Sequence, residues 1–491
     1  MPTKIKQFLF HNTSARQTIA KNTFWLIVGN IGGKLIKALL LIYAARVLGA
    51  SSWGVFVYAL SLATLFTIFI DFGINAIITR ESSRDISLQQ QYFATGFVLK
   101  FVMLVLITLV VFFVAPLFIN QPEVVALLPF VVLIVGLDGF RDFGATLSRA
   151  WEKMEIEGAV QIFTNVILLI AGIIALNIAR TPESLAWAYL IGIGLGAVSS
   201  FYPYRHYFKN LFSTFSKKLI KPMLVASWPF GMLGLMGAIM LNTDTVMVGW
   251  FRPIADVGYY GAAQRIIQLI YILPGILATA FFPQMARLIA DKERMKMMLE
   301  KSLSLMTLIA VPLTVGGVLL SRDIIHLLYG LEYDPATEAF RILNLTYLPV
   351  FLSAMFGNAV FSLNKEKKLL MYVIIGTAGN FLFDLLFIPL WGIAGASLST
   401  VLNQGIITLY LILVLQRETH FKVLHQIQKI TLATLVMGTI VVGAKFVGLN
   451  LYGVIILGTL AYFVSLYMVK EEALTEIGDV AKRQLSVLRG K

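Results

Sequence analysis

The chain has 491 residues, of which 58% are hydrophobic and 13% charged, and its mean hydropathy is +0.81. A water-soluble fold of this length does not carry such a balance, so the sequence is that of a membrane protein. It has no cysteine, which excludes a disulfide framework or a thiolate metal site, and its net charge of +14 is excluded as a nucleic-acid signal by where the basic residues fall.

Apolar runs of about 20 residues, enough to cross a hydrocarbon core, recur about fourteen times and predict an all-α polytopic protein. Lys4, Lys6 and Arg16 precede the first run as in a signal peptide, but that run is long and interrupted by lysines, so we read it as a retained span one, 19–43. Spans two to six follow at 54–79, 93–118, 124–150, 158–178 and 184–202. In the connecting stretch "RHYFKNLFSTFSKKLIKP", Phe208, Leu211, Phe212 and Phe215 fall at helical spacing among Arg205, Lys209, Lys217 and Lys218. That is the pattern of an amphipathic helix on the inner membrane surface. Spans seven to twelve occupy 223–251, 257–286, 299–321, 338–363, 369–390 and 393–415, and spans thirteen and fourteen occupy 428–447 and 450–469.

A weak internal echo aligns Trp25 with Trp228 and Gly54 with Gly258. It predicts two six-span lobes in the same orientation, 1–203 and 223–416, joined by the linker 204–222 and followed by an appended pair and cytoplasmic tail in 417–491. With a cytoplasmic N-terminus, most Lys and Arg lie in inner loops, including Arg287–Lys301, against about five outside: Arg46, Arg180, Arg252, Arg322 and Lys445. This positive-inside bias places both termini in the cytoplasm and argues against a nucleic-acid partner; the plasma (inner) membrane, with its lipids as partners, is the expected location.

The signatures of an enzyme fail in turn. "GNIGGKL" lacks the hydroxyl of a phosphate-binding loop and sits inside a span. "DFG" at Asp71 and again at Asp142 lacks the rest of the kinase set, and "GIGLGA" from Gly192 reads as close helix packing. The histidines at 11, 206, 326, 420 and 425 lie in loops and tails with no zinc spacing, so neither a metal nor a cofactor is expected. The largest outer loop, near Arg322–Thr337, is too short for a catalytic domain.

Charges inside the spans are the informative residues, because hydrocarbon makes them costly. Lys100 and Arg341 lie near span ends and are expected to snorkel. Asn30, Lys34 and Lys37 stand at i, i+4 and i+7 on one stripe of span one. Two like charges so close call either for two acidic partners or for a polyanionic ligand in a wet cavity, and we favour the cavity. Arg265, flanked by Gln264 and Gln268, adds a cation on span eight or pairs with Asp244. On span four, Asp138 and Arg141 are spaced to pair, leaving Asp142 as the spare acid. Asp71, Asp138, Asp142, Asp244 and Asp384 are candidates for coupling to H⁺ or Na⁺, or for structural ion pairs. Asn358, Asn403 and Gln404 read as glue between helices.

The stretch "ARVLGASSWGVFVYALSLATLFTIFIDFGINAIITRE" (Ala45–Glu81), the six-plus-six-plus-two layout, and the region from "NTDTVMVGWF" to "VGYYGAAQRI" resemble the polysaccharide transporter family of oligosaccharide flippases. That family lies within the multidrug/oligosaccharidyl-lipid/polysaccharide export superfamily. The resemblance implies two lobes that rock by alternating access and carry a polyprenyl-pyrophosphate-linked oligosaccharide to the outer leaflet without ATP, for surface polysaccharides such as O-antigen and beside a polymerase machinery. It implies cationic cavity residues, mapping onto Lys34, Lys37 and Arg265, with Asp244 departing from a uniformly basic wall. The alternatives are a cation-coupled multidrug exporter of the same fold, and a membrane glycosyltransferase or polysaccharide polymerase.

Overall fold

The computed structural model describes residues 10, 14–119, 121–289, 291–423 and 427–471. Lys4, Lys6, His11, His425 and the tail beyond 471 lie outside the described residues. Within hydrocarbon each backbone N–H and C=O must find its partner inside the segment, and the apolar runs duly form helices. Twelve helices among the described residues are long and apolar enough to cross a membrane.

Two of the twelve are double. Ala15–Asp71 has 57 residues, about 85 Å if straight, against a core of about 30 Å. It breaks at Gly49, whose φ of 73° is a left-handed value that only glycine adopts without strain. Glu366–Thr419 breaks in the same way at Gly392, φ 58°. Each is therefore a hairpin of two crossings, spans one and two and spans eleven and twelve, which brings the count to fourteen.

Two single spans are interrupted inside their apolar runs, at Gly73 in span two and just before Pro274 in span eight. Span two stops at Asp71 and resumes as Ile74–Arg84 after Phe72 and Gly73, both left-handed at φ 44° and 78°. Span eight is Ile254–Ile270 followed by Ile272–Arg287, with Tyr271 between.

The chain folds as two compact units, Met1–Ala262 and Ala263–Lys491. In the first, spans two, three and four and the linker share an aromatic core of Phe93, Phe143, Tyr204 and Tyr207, with Phe97, Trp151 and Phe208 packed against it. The linker is a tight 3-10 stretch, Tyr202–Asn210, and one helical turn, Leu211–Thr214. Its buried face is Tyr204, Tyr207 and Leu211, while Phe212 of the expected apolar stripe is 85% exposed. With Phe208 packed beside them, these residues recur at three- and four-residue steps, and Phe212 falls off that side. "GIGLGA" is a packing motif: a Cβ at Gly192 would lie 2.8 Å from the Cα of Leu168, and one at Gly196 would lie 2.2 Å from the Thr164 hydroxyl.

The unit boundary falls within span eight because the far end of span seven and the start of span eight pack on the first hairpin. A Cβ at Gly54 would sit 2.1 Å from the carbonyl oxygen of Ile254, and one at Gly258 would sit 1.9 Å from that of Ala50. The two glycines aligned by the internal echo thus meet backbone to backbone. In the second unit, spans nine, thirteen and fourteen close over Leu308, Ile430, Met437, Val441, Tyr462 and Leu466.

Candidate functional site

Span one is a regular helix through Asn30, Lys34 and Lys37, so the three side chains share one side but differ by up to about 60° around the axis. That spread separates them. Asn30 and Lys34 are exposed, and the Asn30 amide donates to the Leu26 carbonyl of its own helix at 2.9 Å. Lys34 forms no ion pair among the described residues. Lys37 is half-buried, with its ammonium 5.5 Å from the centre of the Tyr189 ring on span six. An aromatic face replaces part of the solvation that a cation loses on burial.

Just before Lys34, Gly33 lets span five approach. A Cβ there would lie 2.9 Å from the Gln161 chain and 2.9 Å from the Asn165 amide. Gln161 and Asn165 therefore stand next to the lysine turn. Sequence reasoning passed over them, although two amides at i, i+4 in an apolar span were the available signal.

The acids are held differently. Asp71 ends a helix, where the backbone dipole already presents negative charge, and Lys100 sits 2.6 Å from it. Lys100 also donates to the Gly139 carbonyl at 3.2 Å and its side chain is 0% exposed. The expectation that it snorkels is overturned, because the break at Phe72 brings an anion to it within the protein. Arg341 lies toward solvent on Glu338 at 2.6 Å.

Asp138 and Arg141 pair at 2.9 Å as their spacing predicts. Asp142 is not spare. It accepts from the Asn75 amide at 2.8 Å and from Arg149 at 2.9 Å, and Arg149 also binds Glu157 at 2.6 Å. The missed partner is two turns along the same helix, a spacing that the i, i+4 rule does not reach. A further pair, fully buried Lys21 with Glu155 at 2.9 Å, joins spans one and five.

Asp244 is 3% exposed and accepts the hydroxyl of Tyr260. In the second unit, Arg265 donates to Gln268 at 3.1 Å, and Asp384 is 0% exposed one turn beyond buried Asn380. Asn358 and Asn403 do act across helices, donating to the carbonyls of Ala278 at 2.7 Å and Gly376 at 2.9 Å. The second unit also encloses a cavity of about 610 Å³ walled by Leu308, Pro312, Phe340, Met437, Val441 and Tyr462 among others.

Residues 19–289 match the family described as "Polysaccharide biosynthesis protein", and residues 229–386 match the MatE family. The chain is similar to "Probable low-salt glycan biosynthesis flippase Agl15" of Haloferax volcanii, 23% identical over 405 residues, which are 79% of this chain and 82% of that one. It is similar to a "Putative O-antigen transporter" of Shigella flexneri, 24% identical over 370 residues, 71% of this chain and 86% of that one. Among solved structures it superposes on "Lipid II flippase MurJ, inward closed conformation" with a TM-score of 0.77 at 16% identity, covering 92% of this chain and 99% of that one. It superposes on an inward-facing "multidrug resistance MATE family transporter of the MOP superfamily" with a TM-score of 0.62 at 14% identity, covering 80% of this chain and 94% of that one. At these identities the structural likeness is one of fold.

Proposed function

The chain belongs to the polysaccharide biosynthesis protein family, and from that premise we propose that it is a flippase, not an enzyme, that moves a polyprenyl-pyrophosphate-linked oligosaccharide from the cytoplasmic to the outer leaflet by alternating access. The observation that carries this reading is Lys34, an exposed ammonium on a membrane-spanning helix with no acid against it among the described residues. A pyrophosphate supplies the missing anion, with Lys37 and Asn30 as further contacts, and Arg265 is a separate candidate cation of the second unit. The large apolar cavity of the second unit suits the isoprenoid part of such a cargo. The printed names of the relatives, a glycan-biosynthesis flippase and an O-antigen transporter, support the same class.

In this reading the lobes are 1–203 and 223–416, both termini are cytoplasmic, the membrane is the plasma membrane, and a polysaccharide polymerase receives the product. H⁺ or Na⁺ drives the cycle through one of the carboxylates, with Asp244 and Asp384 the buried ones. Those acids also favour the second reading, a cation-coupled drug exporter, since both lie within the MatE match.

The test is the double variant Lys34→Gln, Lys37→Gln in proteoliposomes loaded with lipid-linked oligosaccharide. Each lost charge-assisted contact is worth about 1.5–3 kcal/mol, roughly a 10- to 100-fold loss per lysine. Translocation at the parent rate by a normally inserted double variant would overturn the anion site.

A further inference from the structure

Where span eight is interrupted, the second unit opens a cavity of about 290 Å³ between Tyr271–Gly275 of span eight and Val350–Asn358 of span ten. That volume sits at the lower end of small-molecule sites, about 300–1,000 Å³. Two glycines on facing helices keep it open: a Cβ at Gly275 or at Gly357 would meet no atom within 4 Å.

Its lining differs in kind from the larger apolar cavity. Tyr271, Ser353, Asn358 and Tyr372 bring two phenol rings, a hydroxyl and an amide, and no lining side chain is charged. These groups are fixed in place. The Tyr271 hydroxyl donates to Thr346 at 2.5 Å, and the Asn358 amide donates to the Ala278 carbonyl at 2.7 Å. The cavity also continues a polar stripe, since Gln264, Gln268, Tyr271, Gly275 and Thr279 recur at three- or four-residue steps along span eight, beginning beside Arg265.

Neutral donors and acceptors beside aromatic faces match a ligand with many hydroxyls and an apolar C–H face, and they offer an ion nothing. We propose that this cavity is a subsite for one neutral sugar ring of the cargo, hydrogen-bonded by Ser353 and Asn358 and lying against Tyr271 or Tyr372. The proposal rests on the flippase reading and adds to it: the glycan is held by a neutral pocket of its own, apart from the cations that meet the pyrophosphate.

The test fills the pocket with Gly275→Leu and, separately, Gly357→Leu. The probes are the lipid-linked oligosaccharide extracted from the source cells and the same lipid trimmed to its first sugar, both in proteoliposomes. The parent protein is expected to move both lipids. Either filled variant should lose at least tenfold on the full oligosaccharide while moving the trimmed lipid at the parent rate. The bulk-free pair Ser353→Ala, Asn358→Ala should shift the same ratio. Gly405→Leu, also in open space but outside the cavity, should leave both lipids unaffected. Equal transport of the two lipids by the filled variants, or equal loss of both, overturns the subsite. A parent protein that moves neither lipid overturns the flippase reading itself.

Discussion

Lys34 and Lys100 show how the same residue type takes opposite roles in one membrane protein. Lys100 is sealed between Asp71, the Gly139 carbonyl and the Phe143 ring, and its charge serves the fold. Removing the acid would leave Lys100 buried and uncompensated, at about 3–5 kcal/mol, whereas removing Lys100 leaves Asp71, a third exposed, at a smaller cost. Lys100→Met is therefore expected to lower the thermal midpoint of the detergent-solubilised protein. Adding Asp71→Asn should recover most of the loss, and an additive double variant would refute the pairing. Sequence reasoning read Asp138–Arg141 correctly because that pair is local to one turn. It missed Lys21–Glu155 and misjudged Lys100, because partners on separate helices depend on rotations that no single-helix periodicity contains.

At the level of elements, hydropathy made the crossings legible and left their interruptions invisible. Gly49 and Gly392 lie between long apolar runs, and the two-crossing hairpins were readable from length alone. The breaks at Phe72 and Tyr271 lie beside Asp71–Gly73 and before Pro274–Gly275, signals that a hydropathy average smooths over. The linker was half legible: its amphipathic character was right and Phe208 and Leu211 do meet the core, but Tyr204 and Tyr207 complete the buried face and Phe212 lies outside it. The contact of Gly54 with Gly258 makes an element-scale prediction. Gly258→Leu would drive a side chain into the Ala50 carbonyl, so the first hairpin must move away from span eight. In this cysteine-free chain, Ala50→Cys alone, at a position 2% exposed in the parent, should resist a water-soluble maleimide. Combined with Gly258→Leu it should be labelled at least tenfold faster; unchanged labelling would show that the contact absorbs the bulk locally.

Over the whole molecule, each unit carries ion pairs and one buried candidate acid, Asp244 in the first and Asp384 in the second, while the exposed Lys34 lies in the first and the two cavities described above lie in the second. An anionic cargo is argued from charge placed in oil, which is a one-dimensional signal. The sugar pocket was not legible in this way, since it is made of glycines and neutral residues that are ordinary in any span. If an ion drives the cycle through Asp384, Asp384→Asn should abolish a glycan-dependent H⁺ or Na⁺ flux in proteoliposomes without changing insertion, and a persistent flux would assign that acid to the fold.

The meeting of Gly54 and Gly258 has one more consequence. At that junction each helix turns a bare Cα toward the other's carbonyl, and those carbonyls are already engaged within their own helices. The glycine faces themselves meet through dispersion and weak C–H···O attraction, about 0.5–1 kcal/mol apiece. Contacts of that kind leave the backbone hydrogen bonds of both helices untouched when the faces shift against each other, in a medium that would penalise a broken amide bond heavily.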